Sequence, residues 1–186
     1  MGIRNSIAGA LPALIAGYNQ LQARANAMGI SFEIADFGGI RTEADTILIL
    51  SYRAADYAAA VIQDPSVYSI PINTWRPIRP YGSSMHNYGA AFDVKITGTP
   101  AGLSSDDALQ QLKMLAPACG LQSTVPNDPP HFELPITLDD AKMQWSALGN
   151  AAPGITVLTS SNVAAASTVV ALVGIIALLA YARTRR

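Results

Sequence analysis

The chain has two imidazoles, His86 and His131, and each stands close in sequence to a carboxylate. The first belongs to Ser84-Met85-His86-Asn87-Tyr88-Gly89-Ala90-Ala91-Phe92-Asp93, a string that reads S-x-H-x-x-G-x-A-x-D. The second closes the segment Asp128-Pro129-Pro130-His131. Two imidazole nitrogens and one carboxylate oxygen suit zinc and leave the fourth tetrahedral position for water. The metal would bring the pKa of that water toward neutrality and polarise a carbonyl. One more carboxylate must then take the water's proton and return it to a leaving amine. His86, Asp93 and His131 supply the donors, and Asp128 is left over on a segment stiffened by Pro129 and Pro130.

These residues must be placed by short elements. Gly89 permits a tight turn between the loop of His86 and a strand carrying Asp93, so both side chains can converge on one point. Strands are expected at Ser31–Ala35, Ala90–Ile96 and His131–Leu134, with a short extended stretch at Leu121–Thr124. On the last strand Glu133 points away from Phe132, which leaves it either supporting the site or facing solvent. Leu11, Leu14, Ile15, Tyr18, Leu21, Ala25 and Met28 recur at helical spacing, with Pro12 near the start. That amphipathic pattern reads as a first helix better than as a signal peptide. Thr42 is placed to cap a helix to about Gln63, Ser104 or Ser105 one to about Leu115, and Thr137 one to about Leu148. Five breakers between Pro65 and Gly82 mark a long loop. The expected fold is α+β, with helices packed on a small antiparallel sheet.

The S-x-H-x-x-G-x-A-x-D string, the later D-x-x-H and an upstream G-x-R-T resemble the zinc D-Ala-D-Ala carboxypeptidase and L-alanyl-D-glutamate endopeptidase group. That group includes VanX/VanY-type peptidases and many phage endolysins, and the resemblance spans roughly Leu11 to Leu134. It implies that His86, Asp93 and His131 bind zinc and that Asp128 is the general base. It also implies that Arg41, in Gly39-Ile40-Arg41-Thr42, assists a polarised carbonyl, as a fixed cation near developing oxyanion charge would. Ser84 is a candidate for substrate contact. The chain departs from the pattern at Thr46, where relatives often carry Gln, and at Pro130, where many carry Trp. The implied activity is hydrolysis of peptide bonds in bacterial peptidoglycan. The rival is a non-catalytic, zinc-stabilised cell-wall-binding or structural virion membrane protein, which would need neither Asp128 nor Arg41.

Composition divides the chain further. Of 186 residues 50% are hydrophobic, unevenly spread: Val163–Tyr181 reads VAAASTVVALVGIIALLAY without a charge, followed by Ala-Arg-Thr-Arg-Arg. At 1.5 Å rise per residue this run reaches roughly 28 Å, about the thickness of a bilayer's hydrocarbon core. A transmembrane helix is expected at 163–181, after a peptidase domain at 1–149 and a linker at 150–162, and before a basic tail at 182–186. Arg183, Arg185 and Arg186 place the C-terminus on the cytoplasmic or equivalent side, with a virion membrane as one setting. Without those three arginines, 9 basic side chains face 13 acidic ones, and a nucleic-acid footprint is not expected. The lone Cys119 excludes an intramolecular disulfide framework and every multi-cysteine metal site.

Overall fold

The computed structural model describes residues 5–64, 81–123 and 130–150. The chain forms two compact units: residues 1–45 with 81–154, and residues 46–80 with 155–186. The membrane span, the tail and all but the first residue of the linker expected from the sequence lie outside the described residues, as does Asp128. Among the described residues no helix is long and apolar enough to cross a membrane.

The first unit is built on a three-stranded antiparallel sheet in the order β1 (Ser31–Ile34), β2 (Ala91–Gly98), β3 (His131–Glu133). Alternation along these strands sorts the side chains. Phe32, Phe92, Val94 and Phe132 are buried and join one apolar core, whereas Glu33, Asp93, Lys95, His131 and Glu133 occupy the alternate positions. Helix α1 (Pro12–Ala27) lays Leu14, Leu21 and Ala25 into that core, and Pro12 pre-sets its first turn. Tyr18 meets Phe32 and Phe92 edge-on, with centroids 5.6 and 5.3 Å apart, and Phe92 stacks on Phe132 at 5.6 Å. Full burial of a phenylalanine is worth about 1.5–3 kcal/mol over leaving it exposed, so these rings hold β2 and β3 in register.

Helix α3 (Ser105–Leu115) buries Ala108 and Leu112, and the Ser104 hydroxyl accepts the Asp107 amide at its N-terminus. Helix α4 (Leu138–Ala147) starts at Thr137, whose hydroxyl accepts the Asp140 amide at 3.1 Å. Cys119 is buried at the end of a 3-10 turn, Ala116–Cys119, in the same core. Helix α2 (Glu43–Gln63) belongs mainly to the second unit; Thr42 and Asp45 cap it reciprocally, each accepting the other's amide at 3.0–3.2 Å. Each of these strands and α-helices was expected within one or two residues, whereas the 3-10 turn was not expected. Of the stretch Leu121–Thr124, the described part makes a single bridge, Gln122 to Glu133.

Candidate metal centre

The site grows from one register. β2 and β3 pair Asp93 with His131 and Ala91 with Glu133, which puts two carboxylates and an imidazole on one side of the ladder. His86 arrives from a 3-10 turn, Met85–Tyr88, closed by Gly89 in the left-handed region at φ 59°. A side chain at Gly89 would be strained by that φ and would also bring a Cβ to 2.8 Å from Ala10 Cα. Opposite this turn, Phe37-Gly38-Gly39 folds against β2: Asp93 donates its amide to the Gly38 carbonyl at 2.8 Å. A Cβ on Gly38 would lie 2.5 Å from the Asp93 carbonyl, so the close approach requires glycine.

The three predicted ligands converge. His86 Nε2 lies 3.2 Å from His131 Nδ1 and 3.2 Å from Asp93 Oδ1, and His131 Nδ1 lies 2.9 Å from Asp93 Oδ1. All three residues are buried, at 2%, 6% and 8% exposure. Zinc–nitrogen and zinc–oxygen bonds of about 2.0–2.2 Å give a tetrahedral edge of roughly 3.3 Å, close to the sides of this triangle.

The chemistry of the donors supports the same fit. His86 Nδ1 is 3.1 Å from the Gly39 carbonyl, and His131 Nε2 is 3.1 Å from Glu133 Oε2. Both partners are acceptors, so in the neutral rings they take those N–H groups and assign the tautomers. His86 Nε2, His131 Nδ1 and Asp93 Oδ1 are then three lone-pair atoms facing one another without a donor. Such a triangle calls for a cation or a shared proton.

Charge follows from this crowding. Burial opposes ionisation of Asp93, yet its two histidines and Arg41 outweigh burial and hold the carboxyl far below its ordinary value. Burial lowers His86. His131 is also opposed by burial, but the hydrogen bonds it donates to the Asp93 and Glu133 carboxylates push it up to about 9. Its hydrogen bond to His131 holds Glu133 low, burial notwithstanding. A metal ion would therefore enter in exchange for the His131 proton.

Arg41 sits at the rim, its Nη2 on Asp93 Oδ2 and its Nε donating to the Phe37 carbonyl at 2.6 Å. The guanidinium thus occupies one carboxylate oxygen and leaves Oδ1 to the histidines. Ser84 stands at the N-cap of the 3-10 turn, its amide donating to Asn87 Oδ1 at 3.3 Å.

Sequence reasoning missed Asn87. Its buried amide accepts the Gly82 and Ser84 amides at 3.0 and 3.3 Å and donates to the Arg41 carbonyl at 3.0 Å. One side chain thereby ties the His86 turn to the Arg41 segment. Tyr88 is buried and donates its hydroxyl to the Gly82 carbonyl at 2.8 Å. An Asn between His86 and Tyr88 carries no periodic signal; only the fold shows the three backbone groups it meets.

A two-histidine, one-aspartate cluster on the edge of a small antiparallel sheet is a metal centre in form, with donors within 4.8 Å of one another. Among solved structures, the chain is similar in fold to VanYB in complex with D-alanine-D-alanine. The TM-score is 0.52 at 19% identity, covering 75% of this chain and 78% of that one. No protein-family model matches the chain, and no curated protein matches it in sequence.

Proposed function

We propose that this protein is a zinc peptidase that hydrolyses peptide bonds in bacterial peptidoglycan. The observation that carries the reading is the donor triangle of His86, Asp93 and His131, each ring fixed from behind by an acceptor. The shared fold with a protein solved holding D-alanine-D-alanine supports a peptide ending in D-amino acids as the substrate class.

Zinc in the triangle would supply a Lewis acid for the scissile carbonyl and activate water at neutral pH. Asp93 offers one oxygen to the site while Arg41 holds the other, which fixes the carboxylate plane. The Arg41 guanidinium, 22% exposed at the rim, places positive charge where a carbonyl oxygen gains negative charge. Asp128, three residues before His131, takes the proton of the attacking water and delivers it to the leaving amine. Ser84 holds substrate from the loop before His86.

The apolar run 163–181 serves as a bilayer anchor, with the arginine tail on the cytoplasmic or equivalent side and a phage virion membrane as a setting. Protease protection of membranes carrying the full chain tests this. A digested N-terminal domain with a shielded tail fits; a shielded domain contradicts it.

The activity is tested by incubating purified sacculi with the full-length protein in detergent, with and without chelator. New amino termini or free D-alanine that vanish on chelation and return with zinc are expected. Zinc-loaded protein that releases neither would leave the binding-module reading standing.

A further inference from the structure

The two imidazoles of the triangle differ in what stands behind them. His86 is backed by a neutral backbone carbonyl, that of Gly39 at 3.1 Å. His131 is backed by a carboxylate, Glu133 Oε2 at 3.1 Å. The other Glu133 oxygen, Oε1, accepts from Gln122 Nε2 at 3.1 Å. Gln122 is itself fixed, because its backbone exchanges both hydrogen bonds with Glu133, at 2.8 and 2.9 Å. The result is a chain running Gln122 amide, Glu133 carboxylate, His131 imidazole, ending at the donor triangle. An isolated bridge holds Gln122 to Glu133, and Glu133 and His131 share strand β3.

We propose that Glu133 is a positioning residue for the metal: by accepting the His131 Nε2 proton it commits that ring to bind through Nδ1, and Gln122 holds it there. This rests on the metal reading above and adds to it a residue that is not a ligand.

Three features support the assignment. Glu133 lies two residues along β3 from His131, so both side chains project from one side of the strand. With Oε2 behind His131 and Oε1 on Gln122, both oxygens are engaged on the side of the ring away from the triangle. That excludes Glu133 from the proton-transfer role assigned to Asp128. Finally, a carboxylate behind a ligating histidine raises the basicity of the donor nitrogen and fixes the ring, and losing such a partner costs about 10–100-fold in metal affinity.

The test compares zinc affinity of the full-length wild type, Glu133→Ala, Glu133→Gln and Gln122→Leu by competition with a chromogenic chelator. Circular dichroism checks each fold. Glu133→Ala should bind zinc about 10–100-fold more weakly. Glu133→Gln should recover most of that loss, because its carbonyl still accepts from Nε2 and the Gln122 amide can turn to meet its new N–H. Gln122→Leu should fall between wild type and Glu133→Ala. In zinc-loaded wild type, nitrogen NMR of His131 should show the proton on Nε2 and the metal on Nδ1. Glu133→Ala should add a second, Nε2-bound population. Equal affinity in wild type and Glu133→Ala, or zinc on Nε2 in the wild type, overturns the proposal while leaving the metal centre intact. A wild type that binds no zinc overturns the metal reading itself.

Discussion

Strand β2 is two strands in one. Its first half, Ala91–Val94, is buried throughout, and there Ala91–Asp93 pair with β3; its second half, Lys95–Gly98, alternates exposed and half-buried residues and pairs, together with Val94, with β1. Each half carries a cross-strand pair of opposite chemistry at adjacent alternate positions: Asp93 opposite His131, and Lys95 opposite Glu33. The second pair sits 3.8 Å apart with side chains 69% and 59% exposed. The first sits 2.9 Å apart with side chains 12% and 7% exposed, and Asp93 engages Arg41 and His86 as well. The same ladder geometry thus yields a solvated ion pair at one end and, at the other, a buried cluster of donors that could hold a metal. Burial makes the difference, since it removes the water that would otherwise satisfy each group.

Substitutions should separate the two halves sharply. Asp93→Ala carries the largest expected effect, because it removes a proposed metal donor and leaves two buried imidazoles and the half-buried Arg41 beside an apolar methyl. Zinc binding and activity should be lost, and a urea melt of the metal-free chain should show a destabilisation of about 3–5 kcal/mol. Asp128→Asn should keep zinc and fold yet lose about 10²–10⁴ in turnover on sacculi, separating proton transfer from metal holding. Arg41→Ala should lower kcat by about 10²–10³, with Arg41→Lys recovering little, since a point charge cannot reach both Asp93 and the Phe37 carbonyl.

Smaller effects lie further out. Asn87→Ala strands two amides and a carbonyl around the His86 turn and should cost about 2–3 kcal/mol in chemical denaturation. At the far end of β2, a double-mutant cycle on Glu33 and Lys95 should return a coupling of no more than about 1 kcal/mol, shrinking with added salt. A strong coupling there would remove the contrast between the halves.

The fold was legible wherever local physics decides it. Thr42, Ser104 and Thr137 announce helix starts because their hydroxyls accept amides within the first turn, and all three do so. The apolar spacing of α1 follows from burial of one helix face, and the alternation of β2 and β3 puts apolar rings on one side and polar groups on the other. The convergence of His86 and Asp93 was also legible, because the spacing in the S-x-H-x-x-G-x-A-x-D string is itself a loop, a glycine turn and a strand; His131 was assigned to them through the later D-x-x-H and the resemblance. What could not be read was long-range and polar. Asn87 reaches the Arg41 carbonyl across 46 positions, and His86 Nδ1 reaches the Gly39 carbonyl across 47. Backbone acceptors carry no sequence signal. Glu133 was ambiguous for a related reason: strand alternation gave its side, and only the Gln122 bridge shows how its carboxylate is held.

The central claim is that the buried end of β2 holds zinc through two imidazoles and a carboxylate. X-ray absorption at the zinc edge on the purified full-length protein tests it most directly. One zinc per chain is predicted, with two imidazole nitrogens and oxygen donors at about 2.0–2.2 Å and the signal lost in Asp93→Ala. A wild type that takes up no zinc, or whose zinc shell lacks imidazole, would contradict it.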